Sequence, residues 1–246
     1  AMQGRKALKV SWTASVNDRH DTDKYMAELV DKVKQPGKVM RQLGDSVKNW
    51  PKESTLNAVY TVPYLTHAMM EPPVATAHVT TEGCELWSST QTPQSTQQNV
   101  AGALGLKEEN VKVNVTLLGG GFGRKSKPDF SVEAAILSQR LNKPVKVSWT
   151  REDEIQHGYY HAISAQFYQA KFNDNNKVDA LLARTGFPSI SSTFAEGVDM
   201  PSAGELDLGF TDVPLVLPQI RLEAVKAVAR TRIGWMRSVC NIQHAF

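Results

Sequence analysis

The chain has 246 residues, 41% hydrophobic and 22% charged, with 28 Lys and Arg against 25 Asp and Glu and a net charge of +3. That is enough apolar material for one or two packed domains, and so small a charge argues against the concentrated basic face of a nucleic-acid-binding domain. No apolar run approaches the roughly 20 residues needed to span a bilayer. The two cysteines, Cys84 and Cys240, form no CxxC or Cys/His cluster, so no zinc or iron–sulfur ligation is expected within the chain, while a disulfide between them stays open.

In chain order, residues 5–12 read as a strand whose partners would lie upstream, and residues 22–33 as an amphipathic helix with Tyr25, Met26, Leu29, Val30 and Val33 on one face, stopped by Pro36-Gly37. Residues 56–62 alternate as a strand and lead into His67-Ala68-Met69-Met70-Glu71-Pro72, where His67 and Glu71 are read as partners for buried backbone groups. Strands are expected next at 75–79 and 84–88, then a helix over 96–104 that ends at Gly105. Residues 111–117 alternate like a half-buried strand, and 129–140 carry apolar positions at helical spacing. A strand is expected at 145–149. Arg151-Glu152-Asp153-Glu154 reads as a solvated charge run with a capping role. His157 and His161 stand four apart, but their surroundings are strand-like, so they are not taken as a metal pair. Residues 162–172 and 178–184 flank Asn173-Asp174-Asn175-Asn176-Lys177, a turn whose residues tolerate left-handed backbone, and form a hairpin. Residues 187–217 have no periodicity and read as a long excursion that wraps a site or a neighbouring domain; 220–228 alternate again. The mixture predicts an α+β fold with mixed and antiparallel sheets and packed helices.

The strongest chemical signal lies between the strand at 111–117 and the helix at 129–140. There, Leu118-Gly119-Gly120-Gly121-Phe122-Gly123-Arg124-Lys125 sets four glycines around one phenylalanine. Glycine clusters of this kind serve where the backbone takes unusual dihedrals or approaches another group closely. A strand, such a loop and a helix N-terminus together present backbone N–H groups to an anion or an oxo ligand. Two common phosphate readings fail on spacing. A P-loop needs glycine immediately before its lysine, and Arg124 precedes Lys125; the third glycine of a dinucleotide fingerprint is also replaced by Arg124. A nucleotide-phosphate binder, a non-catalytic interaction module and a plain structural turn remain the competing readings.

Taken together, Glu85-Leu86-Trp87-Ser88-Ser89-Thr90-Gln91-Thr92-Pro93-Gln94, the helix and strand after it, and the glycine loop resemble the large subunit of the molybdenum hydroxylases, the xanthine oxidase and aldehyde oxidase superfamily. The interval from Gln91 to Phe122 is the one found in that family. His67 to Pro72, the segment Pro144-Val145-Lys146-Val147-Ser148-Trp149-Thr150-Arg151-Glu152-Asp153, and Gly234-Trp235-Met236-Arg237-Ser238-Val239 look like one branch, the isoquinoline 1-oxidoreductase β-subunit type. The resemblance runs from about Leu8 to the last residue and is thin between Phe187 and Ala229.

The resemblance implies a fragment of a molybdenum-dependent oxidoreductase that hydroxylates an N-heterocycle or oxidises an aldehyde, with water supplying the oxygen. The implied cofactor is molybdopterin with molybdenum, as the cytosine dinucleotide. Gln91 becomes the catalytic candidate, its amide donating to an oxo group; Gly119, Gly120, Gly121, Phe122, Gly123 and Arg237 become the cofactor-binding candidates. An ordinary ion pair is the plain alternative for Arg237. Ser126 stands where purine-oxidising members carry a glutamate, which argues against purines. The family's catalytic glutamate is expected beyond Phe246, so the fragment would be inactive alone. Residues 1–15 then correspond to the end of a hammerhead-like domain, 16–54 to a helical connector, and 55–246 to the first part of the molybdopterin-binding domain. The implied partners are a small iron–sulfur subunit, the remainder of the chain and a small-molecule substrate, without nucleic acid or membrane insertion. With the native N-terminus missing, bacterial cytoplasm and periplasm both stay open.

Overall fold

The structure, a computed structural model, describes residues 2–44 and 54–245. Positions 45–53 of the expected connector, which include Trp50, and the chain end at Phe246 lie outside the described residues.

Two sheets organise the fold. The first has the order β5-β4-β3-β6, from Val111–Val115, Cys84–Ser88, Val74–Val79 and Val145–Ser148; β3 pairs antiparallel with both β4 and β6, and β4 pairs parallel with β5. The parallel pair requires a crossover, as parallel neighbours cannot be joined by a tight turn, and helix α3 (Pro93–Leu104) supplies it, with Pro93 in its first turn and left-handed Gly105 at its end. Helix α4 (Asp129–Leu141) packs beside it on the same face. The core between them holds Ala75 and Ala77 of β3, Leu86 of β4, Val100 and Leu104 of α3, and Phe130, Ala134 and Ala135 of α4. Alanines on both facing surfaces allow strand and helix to approach closely.

The second sheet has the order β1-β9-β8-β7-β2, from Lys38–Leu43, Gln219–Ala224, Val178–Gly186, Ser164–Phe172 and Thr55–Val62. It is antiparallel except for the β8–β9 pair. Its faces are covered differently. On one side lies helix α2 (Thr22–Val33), capped by the Asp21 side chain accepting from Lys24 N–H at 3.0 Å, with Tyr25, Leu29 and Val33 buried against Ile163, Ala165 and Val225. On the other side lies the segment that joins β8 to β9. Its Phe187, Leu206 and Phe210 pack on Ala183, Ile220, Leu222 and Cys240. It contains a single 3-10 turn at Ile190–Thr193 and the short helix α6 (Ala203–Leu206), and is otherwise irregular. The α+β class with mixed and antiparallel sheets holds, and among the described residues no helix is long and apolar enough to cross a membrane.

Several expectations need correction. Residues 5–12 are not a strand: Met2–Ala7 form helix α1, and residues 8–15 are irregular and exposed. A strand must hand its N–H and C=O groups to a neighbour, and no strand among the described residues pairs with this stretch, whereas a helix closes those bonds within itself. The Arg5 guanidinium reaches Asp153 at 2.6 Å and holds Asp153 far below the usual carboxylate range, chiefly through that hydrogen bond. The charge run at 151–154 is not solvated throughout. It opens helix α5 (Arg151–His157), with a Thr150/Asp153 capping box, and Glu154 is 0% exposed. Strand β1 has no counterpart among the sequence expectations, and β9 stops at Ala224, after which Val225 N–H turns to Thr185 O and Ala227 N–H to Asp199 O. Cys84 and Cys240 are both free and buried.

Candidate cofactor-binding site

The glycine loop leaves β5 and runs across the mouth of the first sheet to a short 3-10 turn at Arg124–Ser126 before α4. Its backbone is left-handed at Gly120 (φ 94°), Phe122 (φ 52°) and Gly123 (φ 100°). A Cβ at Gly123 would overlap the Trp235 carbonyl, and one at Gly121 would overlap the Gln91 carboxamide. Glycine at 123 is therefore a steric and a conformational requirement, while glycine at 121 leaves the movable Gln91 carboxamide room to take this position. Phe122 is not glycine and still adopts positive φ, with its ring 45% exposed, a strained residue of the kind that clusters at ligand sites.

Gln91 arrives from the end of β4. Its N–H donates to Lys125 O at 3.0 Å, the Thr90 hydroxyl donates to the same carbonyl at 3.3 Å, and the Thr92 hydroxyl donates to Ser126 O at 3.1 Å, so residues 90–92 are laced to the far side of the glycine loop. The Gln91 side chain faces the loop itself: Gly123 N–H donates to Oε1 at 3.0 Å. Because an N–H donor fixes which end of the carboxamide is oxygen, the Gln91 amide N–H groups are left for another acceptor. The same bond engages the Gly123 N–H, leaving those of Gly120, Gly121 and Phe122 without a partner among the described residues.

Arg237 comes from the other end of the chain. Its N–H donates to Phe122 O at 2.8 Å, which docks the 234–239 segment on the loop, and Ser238 and Val239 continue it with φ of 68° and 46°. A β-branched residue at positive φ is an outlier that its surroundings must hold. The Trp235 carbonyl is held by His67 Nε2 at 2.6 Å, and burial lowers the pKa of His67. No carboxylate pairs with the Arg237 side chain among the described residues. The structure thus brings Gln91, the glycines, Phe122 and Arg237 into one place.

Beneath the loop lie three buried cations. Arg124, 1% exposed, makes two bonds of 2.8 Å to Asp129 and faces Trp149 and Tyr159. Lys125, 0% exposed, pairs with Glu71. Lys127 sits 4.0 Å from the Phe194 ring centre and 4.9 Å from that of Trp235, donates to the Thr193 hydroxyl at 2.7 Å, and has its pKa pushed down to about 8 by burial. The lysine that a phosphate loop would turn towards its ligand is thus turned inward to a carboxylate. Sequence reasoning passed over these groups as site elements. Their one signal was a charge at the edge of an apolar or glycine-rich stretch: Glu71 follows Ala68-Met69-Met70, and Arg124-Lys125 follow the glycine run.

The donor set suits an anionic, oxo-bearing ligand. It consists of neutral amides and fixed backbone N–H groups in a cradle that Cβ atoms would fill, with Glu71, Lys125, Arg124 and Asp129 already paired to one another. Comparison with known proteins agrees. The molybdopterin cofactor-binding domain family matches residues 31–187. The chain is 27% identical over 251 residues to the membrane-bound aldehyde dehydrogenase [pyrroloquinoline-quinone] of Gluconacetobacter polyoxogenes, covering 97% of this chain and 32% of that protein. It is 34% identical over 116 residues to isoquinoline 1-oxidoreductase subunit beta of Brevundimonas diminuta, covering 46% and 15%. The aldehyde oxidoreductase of Desulfovibrio gigas superposes with a TM-score of 0.66 at 17% identity, over 85% of this chain and 23% of that one, a likeness of fold. The chain therefore spans a third or less of each of these proteins and belongs to the molybdopterin cofactor-binding domain family.

Proposed function

We propose that the chain is the cofactor-cradling part of a molybdenum hydroxylase large subunit, with 55–246 as its molybdopterin-binding portion. The full protein hydroxylates an N-heterocycle or oxidises an aldehyde, using oxygen derived from water. The observation that carries this reading is the Gln91 carboxamide, held by Gly123 N–H at 3.0 Å with its own N–H groups unspent above a loop where Gly121 alone leaves it room.

Molybdopterin held by Gln91, the glycine loop and Arg237 would supply the oxygen-transfer and redox chemistry; the protein would contribute position and hydrogen bonds. Gln91 donates from a neutral amide that does not titrate, so its contribution is constant with pH. Gly120, Gly121 and Phe122 offer fixed N–H dipoles, which need no reorganisation to meet an anionic ligand. Arg237, docked on the loop through its backbone, brings a permanent positive charge close to it. That a relative is named a subunit beta supports a further subunit in the assembly; the cytosine dinucleotide form of the cofactor and a small iron–sulfur subunit as electron acceptor are what the family resemblance implies.

The test is the molybdenum and pterin content of the full-length protein co-expressed with its small subunit. Native protein is expected to hold about one molybdenum per chain, as a structural cofactor site does, and Gly121→Val to lose it while keeping native circular dichroism. Native protein that holds neither molybdenum nor pterin overturns the reading.

A further inference from the structure

A run of glycines has no side chains with which to hold itself still, and glycine loses more backbone freedom on ordering than any other residue. The start of the loop is gripped instead by Glu71. Glu71 N–H donates to Gly119 O at 2.9 Å, and Glu71 Oε2 accepts from Gly119 N–H at 3.2 Å. The same Oε2 accepts from Lys125 Nζ, on a side chain with no exposed surface. Lys125 in turn accepts the Gln91 N–H and the Thr90 hydroxyl on its carbonyl. One residue thus reaches Gln91 through its backbone and Gly119 through its side chain and Glu71. A direct bond then closes the circuit on the other side, from Gly123 N–H to Gln91 Oε1.

A buried ammonium with one carboxylate partner adds little net stability, because desolvation offsets the attraction. What such a pair does well is fix geometry. Burial alone would raise the pKa of Glu71, yet the Lys125 ammonium and the Gly119 amide outweigh it and hold the carboxyl below its usual range, so Glu71 stays a carboxylate near neutral pH.

We propose that the Lys125–Glu71 ion pair is a positioning device that sets the Gln91 carboxamide and the glycine loop at a fixed separation, and so controls how tightly molybdopterin is retained. This rests on the proposed function. Neither residue is assigned a contact with cofactor or substrate; both act through Gln91 and Gly119. The inward turn of Lys125 is accordingly part of the site's construction.

The experiment uses the full-length protein in three forms: native, Glu71→Gln, and the double variant Glu71→Leu/Lys125→Met. A Glu71→Leu change alone would strand a buried ammonium and unfold the region, whereas replacing both partners by apolar residues of similar size removes that penalty. Glu71→Gln keeps an acceptor for Gly119 N–H and for Lys125. The double variant is expected to keep the native melting midpoint and circular dichroism while its molybdenum and pterin content after dialysis falls about tenfold or more, as for other groups that support a cofactor's direct contacts; Glu71→Gln, which keeps both hydrogen bonds and loses only the charge, is expected to retain most of the native content. Hydrogen exchange in cofactor-free protein gives an independent reading: the Gln91, Gly119 and Gly123 amides should lose protection together in the double variant, with β3 and β4 unchanged. A double variant that folds, retains native cofactor content and keeps those amides protected overturns the proposal. If native protein holds no molybdopterin, the proposed function fails, and the exchange of the three amides still decides whether the ion pair couples them.

Discussion

In the sheet that carries the glycine loop, all four strands come from residues 74–148, and every pairing is made within that one stretch. In the other sheet, an edge strand at 38–43 waits for a partner at 219–224, and the centre is a hairpin from 164–186. The two also use buried charge differently. Around the loop, Arg124, Lys125 and Glu154 are each paired with a residue beside or beneath the candidate site. In the second sheet, Glu223 accepts from Arg184 Nε at 2.6 Å, Arg221 Nε at 2.5 Å and Gly37 N–H at 2.9 Å, so its charge ties the entry of β1 to β8 and β9. One half builds the site from neighbours in sequence; the other is a long-range frame that delivers Trp235 and Arg237 to it.

The sharpest way to break this division is Gly123→Val, at a point where the two halves touch through backbone. A β-branched side chain at φ 100° against the Trp235 carbonyl is expected to destabilise by at least about 4 kcal/mol, seen as a fall in the urea midpoint and loss of bound molybdopterin. Next in size is Glu223→Ala, which leaves two arginines facing each other. A loss of about 3 kcal/mol is expected, moderated by the partial exposure of Arg184 and Arg221, with exchange accelerated in β1 and β9 and unchanged in β3 and β4. If the whole molecule loosens equally, the halves are not separate frames.

A pH series sharpens the comparison further. His244 is buried against Phe187 and Phe210, bonded at Nδ1 to Leu208 O, and burial pushes its pKa down to about 4. A folded-state value below the unfolded one means that the unfolded chain binds the proton first. The contribution of His244 is therefore complete above about pH 6.5 and is lost as pH falls towards 4, at up to about 1.4 kcal/mol per unit. Unfolding midpoints between pH 7 and 5 should show this slope, and His244→Gln should flatten it. The smallest effect is expected at the rim of the first sheet. Lys112→Ala removes an exposed pair with Glu85 and is expected to leave the urea midpoint at its native value, as denaturant titration can check.

The same division explains how much of the molecule is legible in its sequence. The helix at Thr22–Val33, the strands at 74–79, 84–88 and 111–115 and the helix at 129–141 carry their reasons locally, in periodicity, caps and glycine. The glycine loop is legible because its conformation excludes other residues. Strand β1 is not, because Lys38–Leu43 has no clean alternation; its exposure pattern is set by β9, far along the chain. The inward turn of Lys125 is hidden for a related reason, since its partner Glu71 comes from another strand's approach. The segment 187–217 has little regular structure to read, and its role emerges only as Phe187, Leu206 and Phe210 settle on a sheet that its own sequence does not contain.

The pairing of β1 with β9 also bears on the order of events during synthesis. Gly37 and Glu223, which meet at 2.9 Å, are 186 positions apart, and domains fold as their parts emerge from the ribosome. The glycine loop, Gln91 and their supporting helix have all left the tunnel well before Gln219–Ala224 and Arg237 appear. The nascent chain thus carries the loop, Gln91 and Glu71 already together before the segment containing Arg237 arrives to dock on the Phe122 carbonyl.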